Sequence, residues 1–377
     1  MTAAAGDIWT IDRAALDAPV RRLLGASARV VEWRRERMSG GIAPTSAGLQ
    51  RVAGLASVDG RSSPWSLVVK LVKNTSDWAP GAEPERTWGY WRREVLAYGS
   101  GFLARLPGGV RAPRCYGVDE SEAGARLWLE DVVDTGAWSA ERFARVARQL
   151  GVLNGAYLAR GAVPDEPWLS RGGLRSWCEM RAPRLGPLAT VQDDPALAPY
   201  WPTDVVEGTR RLVAERGAFF DALDRLPQSF CHCDATGPNL LVDAEGATVA
   251  VDWAFAGQGA VGQELAQLLV GSAVFFCVEV ERLPELTELC LDAHLAGLAE
   301  AGWRGDPRLA RLEFLIDAAT RHGIFEAFVT PPSEELRARI LNASGHSAEE
   351  SMARMRDVRH LTLSWADEAR QLMPAPG

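Results

Sequence analysis

The feature that most constrains the fold is a short segment in which two strand-forming runs flank a turn. Residues 239–242 (Asn-Leu-Leu-Val) and 248–251 (Thr-Val-Ala-Val) are β-prone, and the spacer at 243–246 contains Asp and Gly. Because Asp and Gly favour turns, the segment is predicted to form a β-hairpin. The two ends of an antiparallel pair return to the same place. We therefore expect Asn239, which opens the first strand, and Asp252, which follows the second, to lie close together.

The residues just before this hairpin extend the pattern. His232 and Asp234 precede Asn239 in an H-x-D-x-x-x-x-N arrangement, and Asp252 lies thirteen residues beyond that Asn. An Asp can accept or orient a hydroxyl proton, and an amide oxygen with a second carboxylate can hold Mg²⁺. Phosphoryl transfer depends mainly on positioning and charge neutralisation. Each residue alone would be typical of a turn or a cap, but their combination predicts a phosphoryl-transfer site.

This constellation resembles that of the aminoglycoside phosphotransferase and choline kinase superfamily, which has a bilobal protein-kinase-like fold. The usual family pattern is H-G-D-x-x-x-x-N, and residues 251–257 (Val-Asp-Trp-Ala-Phe-Ala-Gly) are similar to its I-D-W-x-x-A segment. The resemblance implies that Asp234 is the catalytic base and that His232 organises the loop. It also implies that Asn239 and Asp252 are the Mg²⁺ ligands.

The chain departs from the family pattern at two positions in this loop. Cys233 replaces the usual Gly, and we expect that change to be harmless. Thr236 stands where many family members carry His. Because this position lies close to the catalytic Asp in the family, we expect the second departure to affect the acceptor side of the site.

The sequence before the motif predicts a strand-rich lobe. Residues 30–37, 49–58 and 65–72 are β-prone, and Asp59-Gly60 is a turn signal before the third run. Lys70 lies among the apolar residues of that third run. An isolated ammonium group is costly in such surroundings, so this lysine is expected to reach solvent or to have an acidic partner.

The resemblance implies that Lys70 contacts the α- and β-phosphates of ATP and is tethered by Glu94. Glu94 lies in residues 88–98, whose apolar spacing predicts a helix. Lys73 is the alternative lysine, three residues farther along the same strand and therefore on its opposite face. We favour Lys70, with two ordinary surface lysines as the remaining alternative.

A glycine-containing loop is expected to cover the phosphates. Residues 39–48 separate the first two strand-forming runs and include Gly40 and Gly41. Glycines allow backbone N–H groups to approach a phosphate closely. The segment does not match G-x-G-x-x-G, and a plain turn is the alternative interpretation.

A second hairpin is predicted from residues 115–118 and 126–132, which flank a polar turn. Its end, residues 129–131 (Leu-Glu-Asp), resembles the family hinge that binds adenine mainly through backbone groups. The resemblance therefore assigns Glu130 and Val132 to the nucleotide.

Charge and apolar pattern exclude several functional classes. The net charge of this 377-residue chain is −8, and because phosphate binding requires a basic face, we expect no nucleic-acid partner. No uninterrupted apolar run reaches ~18 residues, so we expect no membrane-spanning helix. Residues 1–10 lack the basic and apolar regions of a signal peptide, and we expect a cytoplasmic protein.

The six cysteines are scattered along the chain, which indicates reduced thiols rather than a disulfide framework. Cys231, His232 and Cys233 together resemble half of a zinc site. A zinc site usually needs a second ligand pair at set spacing, and the sequence offers none. We therefore expect buried thiols here, with Cys231 pointing inward.

The segment 160–216 is the expected acceptor-facing insert. It contains eight Arg and eight acidic residues, so its charge is balanced and does not favour a pocket for polycations. Trp168, Trp177 and Trp201 lie within it. They either form an aromatic wall for the acceptor or fill the core, as large aromatic side chains often do.

The sequence thus predicts an α+β, bilobal, protein-kinase-like fold. Residues 1–130 should form a nucleotide-binding lobe with a five-stranded antiparallel sheet and one packed helix. Residues 131–377 should form a larger, mostly helical lobe that carries the catalytic hairpin, including an amphipathic helix over 139–158 and a helix opening after Gly262.

The expected reaction is transfer of the γ-phosphoryl group of ATP, or GTP, to a hydroxyl of a small molecule, with Mg²⁺. A kinase for Ser or Thr of a peptide in natural-product biosynthesis is one alternative. A non-catalytic nucleotide-binding module is another. The acceptor, the choice of nucleotide and the oligomeric state are left open by the sequence.

Overall fold

The computed structural model describes residues 8–38, 45–75 and 84–373 of the chain. Its strands, in chain order, are Arg29–Arg37 (β1), Ser46–Val58 (β2), Arg61–Lys73 (β3), Val110–Arg111 (β4), Cys115–Ser121 (β5), Gly124–Glu130 (β6), Gln228–Cys231 (β7), Leu240–Val242 (β8), Thr248–Ala250 (β9) and Gly257–Ala260 (β10). Its α-helices are Arg13–Leu24 (α1), Arg93–Gly99 (α2), Ala140–Arg160 (α3), Gly173–Arg181 (α4), Thr203–Asp224 (α5), Gln263–Ala266 (α6), Ser272–Val274 (α7), Leu283–Glu300 (α8), Pro307–Asp317 (α9), Glu334–Ser344 (α10) and Ala348–Leu372 (α11).

The first part of the chain forms the predicted five-stranded antiparallel sheet, in the order β1-β2-β3-β6-β5. The turn from β2 to β3 has positive φ at both Asp59 (49°) and Gly60 (78°). Such turns match the right-handed twist of the strands they join. β3 therefore lies in the centre of the sheet, where Lys70 is paired with Leu49 on one side and Leu127 on the other.

The two faces of β3 have different neighbours. Its buried residues Trp65, Leu67, Val69 and Leu71 pack with the helix α1 on the outer face of the sheet. Lys70 lies on the opposite face. The helix α1 was not expected from the sequence, where only one helix was predicted in this lobe. Its internal Pro19 is unusual for a helix and weakens the helical signal.

The helix predicted over 88–98 is shorter than expected, because α2 begins only at Arg93. The preceding residues form turns and a 3₁₀ segment at Pro84–Arg86. The guanidinium group of Arg93 explains this difference. It is buried and donates hydrogen bonds to the main-chain carbonyls of Glu85, Thr87 and Trp88. Those carbonyls are available to it only because the backbone there is not helical.

The rest of the described chain is mostly helical, as predicted, and the amphipathic helix expected over 139–158 is α3. The helices α3 and α8 are in unusually close contact through glycines. A Cβ atom added to Gly151 would lie 2.2 Å from the carbonyl oxygen of His294, and one added to Gly297 would lie 2.1 Å from that of Arg148. These two helices form the packed base beneath the catalytic hairpin.

Short strands attach the motif to this base. β8 and β9 form the predicted hairpin, and β4 pairs with β9 in parallel. β7, which leads into His232, pairs with β10. After Gly262 the chain enters α6, continues through a π-helical turn at Gln267–Gly271 and ends in α7, so the predicted helix is present with an irregular centre.

One large apolar core connects the sheet to the helical part, running from Leu127 and Leu129 of β6 to Trp365 of α11. Cys231 is fully buried, as expected, and each of the six cysteines is a free thiol. Among the helices of the described residues, none combines the length and the apolar character that crossing a membrane requires. The domain boundary after residue 130 stays a prediction.

Candidate active site

The hairpin mouth brings the predicted metal ligands together. Leu240 lies opposite Ala250 in the ladder, and the Val251 N–H donates to the Asn239 carbonyl at 2.9 Å. Asp252 follows directly and has φ 62°, an unusual value for a residue other than glycine. This left-handed conformation turns the chain sharply at the end of the hairpin, into a 3₁₀ segment at Trp253–Phe255.

Asp234 is held by hydrogen bonds to both of its carboxylate oxygens. The Asn239 side-chain amide donates to Oδ2 at 2.9 Å and to the Asp234 main-chain carbonyl, also at 2.9 Å. The Gln267 amide donates to Oδ1 at 3.0 Å. Because Asn239 donates both of its side-chain hydrogen bonds to Asp234, its amide oxygen stays available to a metal ion.

His232 is buried and fixes the loop as a neutral imidazole. Its Nε2 lies 2.9 Å from the Val251 carbonyl, and its Nδ1 accepts the Asp234 main-chain N–H at 3.2 Å. These two partners require a proton on Nε2 and none on Nδ1. Burial lowers the pKa of His232 to about 4, so the ring stays neutral at physiological pH. It thereby joins the loop to the end of β9.

The structure also shows that Lys70, rather than Lys73, reaches the centre of the site. Its ammonium group lies 2.6 Å from Glu94 and 2.7 Å from Asp252, whereas Lys73 is exposed. Burial by itself would lower the pKa of Lys70, but the two carboxylates outweigh it and raise the pKa above its ordinary value. Burial would likewise raise the pKa of Asp252, but Lys70 lowers it. The raised pKa of Lys70 and the lowered pKa of Asp252 keep both side chains ionised.

Glu94 completes the connection between the two parts of the chain. Its second carboxylate oxygen accepts the main-chain N–H of Trp253 at 3.2 Å. Glu94 therefore binds Lys70 of the sheet and the residue that follows Asp252 at once. The predicted pairing of Lys70 with Glu94 is present, and it extends to Asp252.

Two residues that sequence reasoning missed lie on the helical segment after Gly262. Gln267 orients Asp234, as described above. Glu264 is fully buried and accepts the main-chain N–H groups of His232 at 2.5 Å and Cys233 at 3.3 Å. Burial raises the pKa of Glu264 to about 7. The available signal was three polar side chains, Gln263, Glu264 and Gln267, within an otherwise apolar helix, since buried polar groups are usually retained for a specific partner.

Glu264 also explains how the loop tolerates Cys233. Cys233 has φ 64°, a conformation that costs a residue with a Cβ atom roughly 1–2 kcal/mol. The replacement of the family's usual Gly therefore has a backbone cost, and the expectation that it leaves the site unharmed stays a prediction. The two hydrogen bonds to Glu264 hold the loop in this conformation.

A third missed residue, Arg93, supports the site from beneath. It is fully buried and donates to the carbonyls of Trp168 and Ala254 at 2.8 and 2.9 Å, in addition to those before α2. Ala254 belongs to the segment after Asp252. Arg93 thus holds the residues before α2 against that segment.

The predicted nucleotide contacts outside this centre are less clearly defined. Gly40 and Gly41 lie outside the described residues. The Glu130 side chain is paired with Arg111 at 2.8 Å, and the Glu130 N–H donates to the Arg114 carbonyl at 2.9 Å. Val132 lies just beyond the end of β6. Neither the carboxylate nor the N–H of Glu130 is therefore free, and the assignments of Glu130 and Val132 stay predictions.

A pocket of about 800 Å³, counting the space open to solvent at its mouth, adjoins Asp234. Thr236, Gln263 and Gln267 line it together with a group of aromatic side chains: Trp88, Trp177, Phe255, Phe275 and Phe325. Of the three tryptophans considered for an aromatic wall, only Trp177 lines this pocket. Trp168 and Trp201 are 3% and 0% exposed and belong to the core.

The residues at the hairpin mouth suit Mg²⁺. Its preferred ligands are oxygens, and it is commonly bound through one or two protein groups plus phosphate and water. Asn239 and Asp252 supply an amide oxygen and an ionised carboxylate. Within residues 8–38, 45–75 and 84–373, no group of three or more His, Cys, Asp or Glu side chains is arranged to hold a metal by itself. The donor set thus fits a metal that is shared with phosphate.

Comparison with solved structures supports the kinase-like fold. Amicoumacin kinase hAmiN, in complex with AMP-PNP, Ca²⁺ and Ami, is similar with a TM-score of 0.51 at 13% identity, over 90% of this chain and 92% of that one. LicA in complex with AMP has a TM-score of 0.50 at 13% identity, over 94% and 98% of the two chains.

No curated protein sequence is significantly similar to this chain. The model of the phosphotransferase enzyme family, APH, matches residues 100–305, which make up more than half of this chain. This range includes the whole motif from His232 to Asp252. The chain therefore belongs to the phosphotransferase enzyme family.

Proposed function

We propose that this protein transfers the γ-phosphoryl group of ATP, or of GTP, to a hydroxyl group of a small molecule. One observation carries the proposal. The segment that carries Asp234, Asn239 and Asp252 lies against the Lys70–Glu94 pair, although that pair comes from a distant part of the chain. This arrangement supplies a proton acceptor, a pair of metal ligands and a phosphate-binding cation, which are the parts that phosphoryl transfer requires.

Asp234 is proposed as the group that accepts or orients the proton of the acceptor hydroxyl. Its carboxylate is oriented by Asn239 and Gln267, and it lies at the pocket beside the hairpin. Burial, together with the charge of Asp252, raises the pKa of Asp234 to about 7. A base works best when its pKa is near the working pH.

Lys70, held in place by Glu94, is proposed to bind the phosphates of the nucleotide. Lys70 carries three N–H donors, so it can keep Glu94 while it donates to a phosphate oxygen. Asn239 and Asp252 would hold Mg²⁺, which when bound neutralises charge on the phosphates. Val132 and the backbone around it are proposed to contact the adenine ring.

The shape of the pocket favours a small acceptor over a peptide. Its lining is mostly apolar, with a few polar side chains such as Asp234, Gln263 and Gln267, and this is the usual make-up of a small-molecule site. A kinase that acts on Ser or Thr of a peptide would need a longer open groove. We therefore propose a small-molecule hydroxyl as the acceptor.

The test is mass-spectrometric detection of phosphate transfer from Mg·ATP to a panel of hydroxylated small molecules and a panel of Ser/Thr peptides. Asp234→Asn is expected to lower transfer at least a thousandfold while leaving the affinity for AMP-PNP within about threefold. Asp292→Asn, at an exposed position on α8, is the matched control and should behave like the unmodified protein. A near-normal rate in Asp234→Asn would contradict the proposed base, and transfer to peptides alone would contradict the proposed acceptor.

A further inference from the structure

The pocket beside Asp234 has a chemical character that narrows the class of acceptor. We propose that the acceptor is a hydroxylated compound with a flat, apolar ring system and without net positive charge. The inference rests on the phosphotransferase function proposed above and defines the compound that the same site would take.

Aromatic side chains form the walls of this pocket in two pairs. Trp88 and Phe255 are stacked, with ring centroids 5.4 Å apart and an interplanar angle of 23°. Trp177 and Phe325 lie 5.8 Å apart at 35°. Phe275 is a fifth aromatic residue in the lining. Flat rings are suited to contact with other flat rings, in stacked or edge-to-face geometry.

The exposure of these side chains separates them from ordinary core residues. Trp177, Phe255, Phe275 and Phe325 are only half-buried, and each of them lines the pocket beside Asp234. In contrast, the Trp201 side chain is fully buried, so protein atoms cover the whole of its ring. When a flat apolar compound covers an apolar wall of this kind, the removal of that surface from water has a favourable free energy.

The charges around the pocket do not suit a polycation. Asp234 is the only carboxylate among the described residues that line it. Arg321 also lines it, and its guanidinium group is paired with the buried Asp317 at 2.8 Å. His322, the next lining residue, is neutral because burial and the charge of Arg321 lower its pKa to about 3. A compound with several ammonium groups would meet one carboxylate and one guanidinium, and like charges facing each other are costly.

The ring pair at Trp177 already has cationic neighbours. The Arg181 guanidinium lies 4.7 Å from the Trp177 ring centroid and 5.0 Å from that of Phe325. Arg321 lies 5.8 Å from the Trp177 ring. Because an aromatic face attracts a cation through its negative quadrupole, nearby guanidinium groups reduce what an added ammonium group would gain there. Both guanidinium groups are paired with a carboxylate, Arg181 with Glu326 at 2.7 Å and Arg321 with Asp317 at 2.8 Å, so they stay in place and a neutral ring does not compete with them.

Two panels of probes test this inference directly. One consists of neutral aryl glycosides such as para-nitrophenyl glucoside, each matched with the methyl glycoside that lacks the ring. The other consists of polyamino sugars such as kanamycin. Affinity is measured by calorimetry in the presence of Mg²⁺ and AMP-PNP, and product formation is measured by mass spectrometry with Mg·ATP. We expect aryl glycosides to bind about tenfold more tightly than their methyl counterparts.

Matched variants assign that difference to the pocket. Trp177→Ala should remove most of the tenfold preference for the aryl compounds and leave the weak affinity for methyl glycosides unchanged. Trp303→Ala, at a half-buried tryptophan outside the pocket, is the control and should keep the preference. Phe325→Leu is a second variant that removes a ring but keeps the site apolar, in case Trp177→Ala fails to fold. Val274→Asp adds a second carboxylate to the lining and should improve the binding of polyamino sugars.

The possible outcomes separate this inference from the proposed function. Phosphorylation of aryl glycosides with the expected dependence on Trp177 or Phe325 supports both. Binding of aryl glycosides without transfer to any compound supports the inference and contradicts the proposed reaction. Phosphorylation of polyamino sugars with no preference for aryl compounds overturns the inference and leaves the proposed reaction standing. An aryl preference that survives in both pocket variants also overturns it.

Discussion

The two sides of the candidate site differ in how they use charge. Toward β3, Lys70 contacts Glu94 and Asp252 at 2.6 and 2.7 Å, so one ammonium group binds two carboxyl groups. Toward α4, Asp234 stands beside a wall of aromatic side chains. Its one arginine neighbour in the lining, Arg321, is already paired with Asp317.

This difference has a physical consequence. A buried charge is tolerated only when its partners are in place, so each residue on the β3 side requires the others. Apolar contact has little directional requirement, and a wall of rings accepts changes in shape more readily. We therefore expect the charged side to be sensitive to almost any substitution and the aromatic side to be sensitive mainly in its choice of acceptor.

The largest expected effect is on the charged side. Lys70→Met should lower kcat/KM about a thousandfold, because a preorganised cation facing the phosphates is lost. Lys73→Met, on the exposed face of the same strand, should stay within about twofold of the unmodified protein. Steady-state kinetics with varied Mg·ATP would measure both.

A double variant shows whether the loss is one of chemistry or of folding. Lys70→Met leaves Glu94 without its cation, and Lys70→Met/Glu94→Gln removes that buried charge as well. The double variant should recover folding stability without recovering activity. Recovery of activity would contradict the phosphate-binding role of Lys70.

The next effect joins the two sides. Arg93→Lys should lower the free energy of unfolding by about 3 kcal/mol, because a lysine cannot reach the several carbonyls that the guanidinium group binds. Nucleotide affinity and acceptor affinity should fall together, since Arg93 holds both Trp88 and the segment after Asp252. Urea unfolding and calorimetry would measure these changes, with Arg92→Lys at the neighbouring, half-buried position as the control. Loss on one side only would mean that the two sides are supported separately.

A substitution in the helical base should harm neither side in particular. Gly297→Ala places a methyl group against the Arg148 carbonyl and should destabilise the protein by about 3 kcal/mol. Gly217→Ala lies in α5, where an added Cβ atom meets no neighbouring atom within 4 Å, and should stabilise it by up to about 1 kcal/mol. Thermal unfolding would compare them. Similar stabilities for the two variants would show that α3 and α8 can separate without cost.

The smallest effect concerns how the stability of the packed helices α3 and α8 depends on pH. His294 of α8 is fully buried, and burial lowers its pKa to about 4. Between its ordinary pKa of about 6.5 and this value the unfolded chain takes up a proton that the folded chain does not, so stability falls as pH falls. His294→Asn keeps a donor for the Ala147 carbonyl and should remove about 2 kcal/mol of the loss between pH 7.5 and 5. Urea unfolding at the two pH values would show it, and an unchanged pH dependence would contradict it.

The sequence predicted the charged side far better than the aromatic side. Asn239 and Asp252 lie at the two ends of one hairpin whose turn residues are visible in the sequence, and Asp234 lies just before it. The alternation along β3 distinguished Lys70 from Lys73. Glu264, Gln267 and Arg93 were missed because polar residues in helical segments are ordinarily exposed. Only the fold shows that these three are buried and what they bind.

The aromatic wall could not be predicted for a different reason. Its five rings come from separate segments, and no spacing in the chain relates Trp88 to Phe325. The balanced charge of residues 160–216 did indicate that a polycation pocket was not favoured. However, two of the three tryptophans in that segment proved to be core residues, because large aromatic side chains serve both purposes and the sequence does not distinguish them.

The scattered origin of the wall has a consequence for evolution. Trp177 is supplied by α4, Phe275 follows α7 and Phe325 precedes α10, whereas the hairpin carries Asn239 and Asp252. A single nucleotide change in the gene can therefore exchange one wall residue and leave the reactive groups untouched. Such a layout allows a lineage to explore new acceptors one position at a time without passing through an inactive ancestor.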